Sequence, residues 1–145
     1  MARILIADDR DSMRSALKAI FVLRPHWEIC GEAADGREAV SKANQLQPDL
    51  IVLDFKMPCS NGIQAAGEIH GIMPSTPIVM YTLYKTDGLE VAAKLVGIRR
   101  VVAKENDVQD LLIAIDDELV AEKFQKKGNY EHQIPRSTSS STRGG

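Results

Sequence analysis

Residues 50–58 read Leu50-Ile51-Val52-Leu53-Asp54-Phe55-Lys56-Met57-Pro58. Four apolar residues in a row, with no polar alternation, read as a strand covered on both faces, and such strands are typical of parallel sheets. The run stops on a carboxylate, Asp54, and Pro58 then breaks the chain. On the N-terminal side, Gly36 to Gln47 carries Ala39, Val40, Ala43 and Leu46 on one helical face, and Pro48 ends it. On the C-terminal side, Ile63, Ala66, Ile69 and Met73 form another helical stripe, closed by Pro74.

The same alternation extends to both ends. Arg3 to Ala7 is a short apolar strand running into Asp8-Asp9, and Met13, Ala16, Leu17, Ile20 and Phe21 follow at helical spacing up to Pro25. Trp27 to Ala33 reads as a weaker strand and Pro77 to Tyr81 as a fourth. Asp87 to Val96 is a helix, and Arg100 to Ala103 a short fifth strand. Asp107 suits an N-cap for a last helix whose apolar stripe is Val108, Leu111, Leu112, Ile115 and Leu119. Five strands alternating with five helices, joined by right-handed crossovers, predict an α/β three-layer sandwich. The expected sheet is parallel, flavodoxin-like, of order 2-1-3-4-5, with ligands beyond the carboxyl ends of strands 1 and 3.

The 145 residues suit a single domain, and 44% apolar content is enough for a real core. The apolar runs are too short to span a bilayer, and no signal peptide is read at the start. Two cysteines make no disulfide framework, so a reducing, cytoplasmic setting is expected. Cys30 reads as buried and inert, and Cys59 as exposed. A net charge of −2 argues against a nucleic-acid-coating protein, and no direct nucleic-acid or membrane partner is expected. Residues 120–145 carry five basic and two acidic residues, and beyond Gly128 comes the Ser/Thr run Ser137 to Thr142. Residues 1–127 are therefore expected to form the domain, and residues 128–145 a flexible Ser/Thr-rich tail with no output domain.

Four strand ends deliver polar groups to one edge: Asp8 and Asp9, Asp54, Thr82 and Lys104. Taken singly, each has an ordinary explanation: a helix-opening Asp pair, a turn-capping Asp, a loop Thr, a solvated Lys. Taken together, three gathered carboxylates must bind protons or recruit a cation. Hard oxygen donors with no Cys or His partner select Mg²⁺ or Mn²⁺. An ammonium and a hydroxyl beside them complete a site for a transferring phosphoryl group, with a carboxylate as nucleophile.

With these residues the chain resembles the receiver domain of two-component response regulators, over roughly residues 2–120. The resemblance rests on Ile4-Leu5-Ile6-Ala7-Asp8-Asp9, on Leu53-Asp54-Phe55-Lys56-Met57-Pro58 followed by Asn61-Gly62, on Val79-Met80-Tyr81-Thr82 and on Lys104. Arg14 and Gly31-Glu32-Ala33 resemble the branch often linked to helix-turn-helix outputs. The resemblance implies Asp54 as phospho-acceptor, with Mg²⁺ on Asp8, Asp9, Asp54 and the Lys56 carbonyl. Thr82 would bond the phosphoryl oxygen, and Lys104 would bridge it to the acidic pair. The implied donor is a sensor histidine kinase or histidine phosphotransfer protein, since His26, His70 and His132 suggest no kinase module. The implied output is the helix 4–strand 5–helix 5 face, engaging a downstream protein or a second copy of the chain.

Several positions depart from the family pattern. Val101 stands where a switching Tyr or Phe is usual, Leu83 follows Thr82 where a small residue is usual, and Lys56 and Tyr84 occupy positions that tend to set phosphate lifetime, here predicting slow turnover. Val101 and Leu83 motivate an alternative, a pseudo-receiver that binds partners without phosphorylation. An aspartyl phosphatase is disfavoured because Lys56 replaces a second Asp two residues past the nucleophile. A flavin site is disfavoured by the acidic loop after strand 1.

Overall fold

The computed structural model of the chain describes residues 1–133, with side chains through residue 125. Its elements are β1 (Ala2–Ala7), α1 (Asp11–Phe21), β2 (Trp27–Ala33), α2 (Gly36–Leu46), β3 (Leu50–Leu53), α3 (Gly62–Ile72), β4 (Ile78–Thr82), α4 (Asp87–Leu95), β5 (Arg100–Ala103) and α5 (Val108–Gln133). The strands form one parallel sheet of order β2-β1-β3-β4-β5, the flavodoxin-like order expected from the sequence.

The unbroken apolar strands are covered on both faces. One core layer joins Leu5, Ala7, Ile51, Leu53, Ile78 and Met80 to α2 and α3 through Ala39, Ala43, Ala66 and Ile69. The other joins Ile4, Ile6, Leu50, Val52 and Val79 to α1 and α5 through Leu17, Phe21, Leu111 and Ile115. Trp27 packs, as its position at the start of β2 suggests: it is buried and meets Phe21 edge-on at 5.2 Å. Among the described residues no helix is long and apolar enough to cross a membrane.

Local chemistry sets the helix starts on the sheet's carboxyl side. Asp35 caps α2 through the Glu38 amide at 2.8 Å. Asn61 and Gln64 form a reciprocal capping box on α3, and Thr86 caps α4 through the Leu89 amide. Asp107 accepts from the Gln109 amide at the start of α5, as its sequence position suggested.

One boundary is extended and one expectation is corrected. Helix α5 runs through Gly128 to Gln133, beyond the boundary placed at residue 127. The Lys, Gln and Glu residues around Gly128 are good helix formers, and one glycine costs only about 1 kcal/mol against alanine. The remainder of the expected tail, residues 134–145, lies outside the described residues. Cys30 is half-buried rather than buried, because β2 is an edge strand, although its burial still pushes the thiol above its ordinary value. Cys59 is exposed, as expected.

Gly62 opens α3 directly behind the end of β3, and a Cβ there would come within 2.2 Å of the Asp54 carbonyl oxygen. Backbone cannot yield as a flexible side chain does. Gly62→Ala is expected to lower stability by about 1–3 kcal/mol, the usual cost of forced overpacking. Urea unfolding measures this, and a change within about 0.5 kcal/mol, ordinary for surface substitutions, would contradict it.

Candidate functional site

The sheet's carboxyl edge is where β1, β3, β4 and β5 run out of apolar residues together. Parallel pairing continues one step past the strands: the Asp8 amide donates to the Ala33 carbonyl at 3.0 Å and the Asp54 amide to the Ala7 carbonyl at 2.9 Å. These bonds fix the backbone of the first two carboxylates. Thr82 ends β4, and the Lys104 amide donates to the Thr82 carbonyl at 2.8 Å, which fixes the start of the β5–α5 loop.

Lys104 Nζ lies 2.6 Å from Asp8 Oδ2 and 2.8 Å from Asp54 Oδ2. All three side chains are buried, and that of Lys104 is 3% exposed. The second oxygens are also engaged: Asp8 Oδ1 accepts from the Arg10 amide at 2.9 Å, and Asp54 Oδ1 from the Phe55 amide at 2.7 Å. Asp9 is exposed, and one oxygen from each of Asp8, Asp9 and Asp54 lies within 4.8 Å of the others. All five strand-end residues singled out in the sequence are therefore adjacent, or held on adjacent backbone.

Three carboxylates face one ammonium, so the cluster carries an excess of two negative charges when all are ionised. Burial pushes the Asp54 carboxyl above its ordinary range, and neighbouring Asp8 adds to this; Lys104 and the Thr82 hydroxyl pull the other way. Burial alone would lower Lys104, but the two carboxylates outweigh it and hold the ammonium above its ordinary value. A buried lysine shared by two carboxylates stays charged, while the carboxylates remain undercompensated. The donors are all hard oxygens within 4.8 Å of one another, a set that suits a small divalent cation such as Mg²⁺. Such an ion would cancel the excess charge.

The surrounding residues shape access. Thr82 is fully buried, and its Oγ1 accepts from the Tyr84 amide at 3.2 Å. Lys56 Nζ sits 5.4 Å from the centre of the Tyr84 ring, placing a cation–π pair beside the pocket. Leu83 is 39% exposed. Val101 is half-buried against the α2–α3 core layer.

Two participants escaped the sequence reading as parts of the site. The Tyr81 ring underlies the Lys104 ammonium at 5.9 Å. Arg14, noted only as a marker of one branch, donates from Nη1 to the Asp8 carbonyl at 2.6 Å and from Nε to Glu32 Oε1 at 3.0 Å. Lys18 Nζ holds the other Glu32 oxygen at 2.7 Å. The sequence signal for this clamp is faint: two basic residues one turn apart on α1 and a lone Glu in the facing strand.

A doubly wound sheet with an acidic, lysine-bridged pocket at its switch point defines the class of aspartate-centred signalling domains. Residues 4–116 match the family described as the response regulator receiver domain, and the chain belongs to that family. It is 31% identical over 115 residues to the transcriptional regulatory protein LnrK of Bacillus subtilis, covering 79% of this chain and 52% of that protein. The chain thus spans about half the length of that relative. It is 37% identical over 102 residues to the chemotaxis protein CheY of Thermotoga maritima, covering 70% of this chain and 84% of CheY. Among solved structures, the CheX–CheY–BeF₃–Mg²⁺ complex from Borrelia burgdorferi matches with a TM-score of 0.74 and 26% identity, covering 79% of this chain and 86% of the matched chain.

Two outcomes test the electrostatics. Lys104→Met leaves two buried carboxylates unpaired, and at neutral pH in chelator it should cost about 3–5 kcal/mol by urea unfolding. Glu32 is held below its ordinary value of 4.5, chiefly by the Lys18 hydrogen bond, with Arg14 adding to it. A carboxylate depressed in the folded state stabilises above its unfolded pKa, and that contribution disappears as pH falls through the folded value. The stability difference between wild type and Glu32→Gln should therefore be flat above about pH 5.5, at up to about 1 kcal/mol for a partly exposed pair. Below pH 4.5 it should shrink. A difference that grows on acidification would contradict this assignment.

Proposed function

We propose that the chain is a phosphorylation-driven switch, in which Asp54 accepts a phosphoryl group from a phosphohistidine on a sensor histidine kinase or phosphotransfer protein. The observation that carries this reading is the Lys104 ammonium shared, under burial, by Asp8 at 2.6 Å and Asp54 at 2.8 Å. An oxygen of the Asp54 carboxylate attacks phosphorus, the P–N bond breaks, and the electron pair leaves on the imidazole. The product is an acyl phosphate.

Asp8, Asp9, Asp54 and the Lys56 carbonyl are the residues that would hold Mg²⁺. When bound, that ion neutralises the acidic cluster and the developing charge on the phosphoryl oxygens. Lys104 contributes the fixed positive charge that migrates from the Asp54 oxygen to a phosphoryl oxygen while keeping its bond to Asp8. The Thr82 hydroxyl donates to another phosphoryl oxygen. Such movements of Thr82 and Lys104 bear on the strands beneath α4 and α5. Val91 and Leu95 on α4, at 62% and 82% exposure, and Ile113 on α5, at 53%, give this face the apolar surface that suits a downstream protein or a second copy of the chain.

A second reading, a pseudo-receiver whose binding ignores phosphate, is favoured by one observation. Val101, half-buried on β5, supplies no ring to swing as Thr82 moves.

Incubation with Mg²⁺ and acetyl phosphate, followed by intact-mass measurement, is expected to add one phosphoryl group. Chelator, or Asp54→Asn, should abolish the adduct. An adduct that persists unchanged in Asp54→Asn, or none in wild type, would overturn the proposal. Partner capture insensitive to a phosphorylated Asp54 would favour the second reading.

A further inference from the structure

The Arg14 guanidinium is committed on every side. Its Nη1 donates to the Asp8 carbonyl at 2.6 Å, its Nε to Glu32 Oε1 at 3.0 Å, and its Nη2 pairs with Asp11 on the same helix. The side chain is only 13% exposed. Glu32 is itself anchored, because its other carboxylate oxygen accepts from Lys18 Nζ at 2.7 Å and its own carbonyl from Lys42. The guanidinium thus ties α1 to the end of β1 and to β2.

The bonded carbonyl belongs to the peptide that joins Asp8 to Asp9. That unit is planar, so fixing its oxygen fixes the direction in which the chain leaves Asp8 and the placement of the Asp9 Cα. Asp8 has Lys104 and the Arg10 amide to hold its carboxylate. Asp9 is exposed, so packing does little for it, and its position follows from the backbone.

We infer that Arg14 is a positioning residue for the divalent-cation site: it locks the Asp8–Asp9 peptide so that both carboxylates face Asp54. This rests on the reading of Asp8, Asp9 and Asp54 as that site. The guanidinium is itself a cation with no acceptor atom and is no ligand for the ion; three of its five N–H donors go to Asp8, Glu32 and Asp11. Three acceptors at fixed angles suit a planar fork, and a lysine ammonium cannot reproduce them.

Geometry and charge predict opposite signs, which makes the inference testable. If Arg14 acted only through its positive charge near the acidic cluster, removing that charge would tighten cation binding, and Arg14→Lys would leave it unchanged. If it positions the peptide, both Arg14→Gln and Arg14→Lys weaken binding.

The experiment is calorimetric titration of Mg²⁺ into the chelator-stripped full chain, for wild type and both variants, with thermal unfolding recorded alongside. A roughly tenfold loss of Mg²⁺ affinity is expected in each variant, the scale seen when the support of a metal ligand is removed. For Arg14→Lys the unfolding midpoint should stay near that of wild type, and the Asp9 amide resonance of the cation-free protein should shift. Wild-type affinity in Arg14→Lys, or tighter binding in Arg14→Gln, overturns the inference. If Arg14→Gln does not fold, Arg14→Lys decides alone. Absence of Mg²⁺ uptake by wild type would instead overturn the cation site itself, and this inference with it.

Discussion

The structure depends on one buried electrostatic arrangement, the Lys104 ammonium suspended between Asp8 and Asp54. The partners are 96 and 50 residues apart in sequence, so the contact exists only when β1, β3 and β5 are registered in the same sheet. Burying ionised groups costs several kcal/mol each unless geometry and hydrogen bonds compensate. Here each carboxylate keeps one oxygen on the lysine and the other on a backbone amide. The fold tolerates the charges because its strand ends supply those amides, and the charges in turn make a misregistered edge strand expensive.

The sheet supplies the precision. A parallel strand one residue out of register sends its side chains to the opposite face. In the observed register Ala7 pairs with Leu53 and Thr82 with Ala103, so the residues just past each strand arrive at the same level. The apolar strands are therefore the device that delivers polar residues to one plane. The glycine at the start of α3 allows that helix to approach the Asp54 backbone without a Cβ between them.

Most of this was legible in the sequence for a physical reason. Leu50 to Leu53 and Ile78 to Tyr81 are continuous apolar runs, and each is followed by a residue that apolar packing does not explain. Periodicity marks the helices, prolines punctuate them, and the alternating order leaves few topologies to consider. Three features were less visible. The Arg14–Glu32–Lys18 clamp is made by ordinary charged residues whose proximity follows from α1 lying over the β1–β2 edge, and no local pattern announces that. The continuation of α5 through Gly128 is a balance of small propensities that composition misjudged. The partial exposure of Cys30 depends on β2 being an edge strand, which is a property of the sheet rather than of the segment.

The charge balance also constrains how the pocket responds to what enters it. Without ligands the cluster is short of positive charge, and burial raises the Asp54 carboxyl accordingly. A divalent cation would remove that deficit, whereas a phosphoryl group on Asp54 would bring part of it back, because an acyl phosphate dianion replaces a carboxylate monoanion, a gain of about one negative charge. Among the described residues the ammonium within bonding distance of Asp54, that of Lys104, is already shared, so on the proposed reading the new charge would be met by redistributing Lys104 and by the Thr82 hydroxyl, whose O–H can donate while its oxygen accepts from the Tyr84 amide. Thr82 ends β4 and Lys104 follows β5, so on the proposed reading the rearrangement would begin on the β4–β5 side of the sheet, away from β2. What reaches the surface depends on how the space beside Thr82 is filled. Val101 fills its place against the α2–α3 core layer with no aromatic ring to swing, and the aromatic ring that does stand two residues past Thr82, that of Tyr84, is paired with the Lys56 ammonium at 5.4 Å.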